Sequence, residues 1–169
     1  MSDTNSNSAI ISALQYSLQQ ALKIQASSEL TVGKLEGATF TIPDTVDVAS
    51  ILGLTSSKLT GSVSILFTTP TLLTILNRML GESATELTPD MMDGAAELLN
   101  IVFGMAKVKL NESGHDFSPA IPNVIRGKAI NISAQPGTAT IVMHCKLDNG
   151  DPLYFQISLK KLQAAVKAA

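Results

Sequence analysis

Between Thr88 and Leu110 the chain carries Asp93, Glu97, Asn100 and Gly104, two carboxylates, an amide and a glycine at intervals of four, three and four. In a helix, which turns by about 100° per residue, that spacing stacks all four on one narrow stripe. The residue types are suggestive. A carboxylate can pair with a basic group on a partner, and an uncharged amide can both donate to and accept from a water molecule. The glycine leaves the stripe open to close approach.

The element that must present this stripe is marked at its start. Thr88 can cap a helix, Pro89 suits its first position, and Asp90 places a negative charge where the helix dipole favours it. Leu98, Leu99, Ile101, Val102, Phe103, Met105 and Val108 cover the rest of the circumference, so most of this helix has to be buried. The ordinary alternative for the stripe is a solvated face. Such a face is usually filled with long side chains of both signs in i,i+4 pairs, whereas Gly94, Ala95, Ala96 and Gly104 keep this one shallow. An interior glycine also costs on the order of 1 kcal/mol relative to alanine, which is easier to understand if something touches it.

Around the helix the pattern is that of an α+β domain. Residues 1–7 read as a disordered tail, and Asn7 or Ser8 caps a helix to about residue 25, with Ile11, Leu14, Leu18, Ala21 and Leu22 inward. Strands are expected over 30–42, 46–54 and 59–68, the last with Val63, Ile65 and Phe67 alternating with serines. Thr69-Pro70 starts a short helix that stops at Gly81. After the central helix, Pro119 and Pro122 mark an extended loop, and strands follow over 124–133, 138–147 and 152–159, the last two joined by Asp148-Asn149-Gly150. A short helix over 160–168 ends the chain.

The expected architecture is thus one domain, residues 8–169, with a mixed, largely antiparallel sheet and two long helices packed on it. The order helix, strand, strand, strand, helix occurs twice, and Gly33-Lys34 matches Gly127-Lys128 in place. Any small α+β domain can be cut into such units, so element order alone leaves an internal duplication open. The halves differ chemically. From Ser8 to Gln25 the first helix has no Asp, Glu or Asn, so only the second can do what the stripe does.

Composition narrows the function. A length of 169 residues with 45% hydrophobic and 15% charged residues suits a single folded core. A net charge of −2 and 4% aromatics argue against nucleic acid as partner. One cysteine, Cys145, excludes an intrachain disulfide and fits the cytoplasm, as do the polar start MSDTNSNS and the lack of an apolar run of about 18 residues. His115 and His144 have no partner at metal-ligand spacing, and no metal site is expected. Cys145 adjoins His144, but neighbours in a strand point to opposite faces, so a buried cysteine is the better reading than a nucleophile. Phosphate-loop, dinucleotide and nucleophile-elbow motifs are absent.

Asp-x-x-x-Glu-x-x-Asn on a long helix, here Asp93, Glu97 and Asn100, with Gly104 in the next turn and Pro122 before a strand, resembles the CheC/CheX family of chemotaxis phosphatases. VASILGLTSSKLTGSVSILF, NRMLGE and SGHDFSPAIPNVIRGKA resemble its CheX branch in particular. The resemblance implies a CheC-like fold and a protein substrate, a CheY-like response regulator phosphorylated on aspartate. Asn100 would orient the attacking water and Glu97 would pair with the regulator's lysine, while Asp93, Gly104 and Pro122 would contact the partner. It implies no cofactor of its own, Mg2+ held by the response regulator, and a homodimer. The alternative, from another class, is a docking module for receiver or flagellar-switch proteins that hydrolyses nothing.

Overall fold

The computed structural model describes residues 2–118 and 120–162, with side chains from Asn7 onward. Three helices and six strands follow in the order α1 (Ser2–Ala26), β1 (Leu30–Gly37), β2 (Val48–Thr55), β3 (Leu59–Phe67), α2 (Thr69–Leu80), α3 (Pro89–Glu112), β4 (Asn123–Arg126), β5 (Ala139–Leu147) and β6 (Pro152–Lys161). The helix ends obey local chemistry. The Thr88 hydroxyl accepts from the backbone N–H of Met91 at 3.3 Å, and Pro89 opens α3. For α2 the cap is Thr68, one residue earlier than expected, and Gly81 ends the helix in the left-handed region at φ 68°.

The six strands form one sheet in the order β1-β5-β6-β3-β2-β4. Every pairing is antiparallel, so the sheet expected to be mixed but largely antiparallel contains no parallel pair. Exchanging the two halves of the chain, β1 with β4, β2 with β5 and β3 with β6, reproduces the same order. The duplication suggested by element order is therefore present in the topology. Moreover, β1 pairs with β5 and β4 with β2, so each half supplies an outer strand to the other. Within each half only one pair forms, β2 with β3 and β5 with β6.

Alternate strand residues divide the sheet into two faces. Val63, Ile65 and Phe67 of β3 and Leu153, Phe155 and Ile157 of β6 join the main core with α1, α2 and α3, α1 through Ile10, Leu14, Leu18 and Leu22. On the other face a smaller cluster of Ile42, Val46, Ala49, Leu66 and Val142 is flanked by Phe40, Ile130 and Ile132. This cluster explains why two strands end early. The first, expected to reach residue 42, stops at Gly37, and β4, expected over 124–133, has four residues. The apolar residues of loops 38–47 and 127–138 cover the second face of the sheet instead of extending its ladders.

At the ends of the chain, α1 begins at Ser2, so the segment expected as a tail is helical from that residue. Lys160 and Lys161 belong to β6 and Leu162 follows it outside any helix, against the expected closing helix, whose residues 163–168, like Pro119, lie outside the described ones. Among the described residues no helix is long and apolar enough to cross a membrane.

Two glycines of α3 have opposite surroundings. A Cβ on Gly94 would lie 2.6 Å from Cδ2 of the buried Leu76, so this glycine lets α2 and α3 approach; a Cβ on Gly104 would meet nothing within 4 Å. Gly94→Val is expected to overpack this contact and lower stability by about 1–3 kcal/mol. Gly104→Ala is expected to raise stability by about 0.5–1 kcal/mol through helix propensity alone. Urea unfolding of both variants measures the two signs.

Candidate functional site

Asp93, Glu97, Asn100 and Gly104 are all exposed, in register along one side of α3. The opposite side is held by eight buried residues, Met91, Ala95, Leu98, Leu99, Val102, Phe103, Ala106 and Leu110. The stripe thus sits on a helix that cannot roll. Nδ2 of Asn100 donates to Oε2 of Glu97 at 3.5 Å, the long limit for such a bond. A contact that weak holds both side chains on the same patch and leaves the amide's carbonyl oxygen and the carboxylate's other oxygen available to a partner or water.

The structure alters part of the expected face. Gly94 meets α2 and Ala95 is buried, so neither keeps the stripe shallow; the exposed Gly104 and half-buried Ala96 do. Val108, expected to pack inward, is 62% exposed, one turn beyond Gly104. The four-residue step from Gly104 was its signal in the sequence, outweighed there by its apolar side chain. Pro122 is half-buried at the entry to β4, a strand against which α3 packs. Just before it, Ile121 is 86% exposed, an apolar side chain that sequence pattern did not single out.

Other reactive side chains are occupied by packing. His144 lies edge-on between Phe40 at 4.3 Å and Tyr154 at 5.3 Å, on the second face of the sheet, whereas Cys145 points into the main core. The alternation expected of a strand keeps the two apart. His115 is buried and stacks on Phe117. Among the described residues, no three His, Cys, Asp or Glu side chains gather where they could hold a metal ion.

Residues 48–146, more than half of the chain, match the family model Chemotaxis phosphatase CheX. The chain belongs to the CheX family. Among solved structures it is similar to a CheC-like superfamily protein from Shewanella sp. PV-4, at 30% identity and TM-score 0.80, covering 90% of this chain and 97% of that one. It is equally similar to the chemotaxis protein CheX from Vibrio vulnificus, at 30% identity and TM-score 0.81, with 89% and 99% covered. The CheX–CheY–BeF3–Mg2+ complex from Borrelia burgdorferi shares its fold at 20% identity and TM-score 0.76, with 89% and 97% covered. None of the curated proteins matches the chain. The CheX match begins at the first residue of β2 and takes in all of α3, so the stripe lies within the part that defines the family.

Burial pushes the Cys145 thiol up to about 12. In an unfolded chain a thiol titrates near 8.5, so as pH rises the unfolded state loses its proton first. The stabilisation is fully present below about pH 8.5 and is lost progressively as pH rises towards the folded value. Native protein is expected to react slowly with thiol reagents at neutral pH and fast in denaturant. Its urea midpoint should fall between about pH 7 and pH 9.5, and by less in Cys145→Ala, as denaturation curves at both pH values will show.

Proposed function

We propose that this protein accelerates hydrolysis of the aspartyl phosphate on a CheY-like response regulator. The observation that carries this reading is the pair Glu97 and Asn100, exposed side by side on a helix immobilised by its buried face, in a chain of the CheX family. The Borrelia burgdorferi complex, in which a CheX is bound to CheY with BeF3 and Mg2+, supports the choice of partner.

Phosphoryl transfer to water needs positioning and charge stabilisation more than covalent chemistry. In this reading the response regulator brings the acyl phosphate, its Mg2+ and a lysine, and this chain brings the water. Asn100 enters the regulator's site and holds the nucleophilic water in line with the phosphorus. An amide is suited to that place because it accepts and donates without a charge, where a carboxylate would repel the phosphoryl oxygens. Glu97 pairs with the regulator's lysine and fixes how deep Asn100 reaches. Asp93, Gly104 and Pro122 line the docking surface, Gly104 by allowing a partner's backbone to come close.

The experiment separates docking from chemistry. Asn100→Ala is expected to bind a beryllofluoride-treated receiver as wild type does, yet to lose about 2.7–4 kcal/mol of transition-state stabilisation, on the order of a hundredfold or more in rate. Glu97→Ala is expected to weaken the complex by about 2–5 kcal/mol. Phosphate release from the phosphorylated receiver and a binding titration measure the two effects. Wild-type turnover by Asn100→Ala with the helix intact would sink the catalytic assignment and leave a docking module in its place.

The free sheet edges support the homodimer that the family resemblance implies. The sheet's outer strands, β1 and β4, each have one edge that no described strand covers, and such edges are commonly closed by a second copy. A homodimer joined at a sheet edge, with both stripes exposed, is the expected state. Light scattering at micromolar concentration tests it, and a monomer overturns it.

A further inference from the structure

On the face of the sheet away from α3, a cavity of about 210 Å³ lies between β3, β6 and loop 127–138. Its lining carries five hydroxyls, those of Thr60, Ser62, Ser133, Thr138 and Ser158, together with the Gln135 amide and the Lys160 ammonium. Among the described residues its lining includes neither a carboxylate nor an aromatic ring. Strand pairing puts these groups opposite one another, Thr60 against Lys160 and Ser62 against Ser158, and the Ser158 hydroxyl also meets that of Thr140 at 2.9 Å.

The cavity is held in shape. Gln156 donates from Nε2 to the carbonyl of Ile132 at 2.9 Å, which ties the loop down onto β6. The loop then turns through Pro136 and Gly137, where Thr138 N–H donates to the Gln135 carbonyl and Gly137 has φ 78°, as a turn with glycine in its third position requires. A Cβ on Gly137 would come within 3.7 Å of Cε and 3.9 Å of Nζ of Lys160, so this turn lies beside the lysine's charged end.

So many hydroxyls on a sheet need a reason, since serine is not a favoured strand residue and buried polar groups are costly when unpaired. Ser158 is 4% exposed, and the next residue of β3 on this face, Ser64, is 1% exposed with no hydrogen-bond partner for its hydroxyl. A cation is a poor match to this lining because no acid is present. A sugar would want an aromatic platform, and a lipid an apolar wall. An anion fits better: Lys160 puts a positive charge on this lining, in a protein whose net charge is negative.

We infer that this pocket binds a phosphate oxyanion, free or as a small phosphomonoester, with Lys160 supplying the charge and the hydroxyls the remaining hydrogen bonds. Hydroxyls suit phosphate because they donate to its bare oxygens and accept from the proton it carries near neutral pH. Strand alternation puts the pocket on the opposite side of the sheet from the Glu97 and Asn100 stripe, so it stands or falls apart from the phosphatase reading.

Amide NMR of the full chain tests the inference, with inorganic phosphate, glycerol 3-phosphate and sulfate titrated at constant ionic strength. Phosphate is expected to give saturable shifts at residues 60–62, 133–138 and 158–160. Lys160→Gln is expected to weaken binding about tenfold or more, as loss of a charge-assisted hydrogen bond does. Thr138→Val, which keeps the charge, should weaken it less, and receiver-phosphatase turnover should stay at the wild-type level in both variants. Tighter binding of inorganic phosphate identifies the free ion as ligand, and tighter binding of glycerol 3-phosphate identifies an ester. Unsaturable shifts spread over lysines throughout the chain, sulfate binding as tightly as phosphate, or unchanged affinity in Lys160→Gln would each overturn it.

Discussion

Burial of one side of α3 is the constraint from which the site follows. Leu98, Leu99, Val102 and Phe103 alone are each worth about 1.5–3 kcal/mol when removed from water, and together they fix the helix in rotation as well as in place. A stripe of short polar side chains on such a helix is pre-organised at no further cost. Neither Glu97 nor Asn100 has to be held by a network, and the one hydrogen bond between them is at its long limit. Packing, rather than polar bonding, does the positioning.

The same core carries a near-symmetry that is broken on the exposed faces of its two long helices. α1 and α3 occupy equivalent places in the two halves and pack against each other, but from Ser8 to Gln25 α1 has no Asp, Glu or Asn. Where the two helices meet at the surface, Nζ of Lys109 sits 3.5 Å above the Tyr16 ring. That contact joins the helices at a point where the first half presents an aromatic ring and the second a cation, one more sign that equivalent scaffolds have taken on different surfaces.

Elements with a strong period were legible in the sequence, and those whose apolar residues serve a second surface were not. The start of α3 at Thr88-Pro89, the stop of α2 at Gly81, the hairpin between β5 and β6, and the exposure of Asp93, Glu97, Asn100 and Gly104 all follow from local chemistry. By contrast, Ile42, Ile130 and Ile132 have the character of strand residues, yet they cap the far face of the sheet, a choice that depends on which face is left uncovered. Gly94 read as part of an open face because its neighbour Leu76 is eighteen positions away and on another helix. The crossed pairing of β1 with β5 and β4 with β2 was likewise hidden, since it is a long-range decision that no short window of sequence records.

The crossed pairing of outer strands has a consequence for how this protein is made. In β1, Leu30 finds its partner only when Leu147 has been synthesised, and β3 waits in the same way for β6. At a translation rate of roughly 5–20 residues per second, the first three strands therefore spend on the order of ten seconds on the ribosome without the neighbours that complete their sheet. During that interval α1 and the inner face of β3 expose apolar surface that α2 covers in part and the second half completes. Vectorial synthesis of such a chain delays completion of the sheet until its last strand emerges, an order set by topology and not by the site.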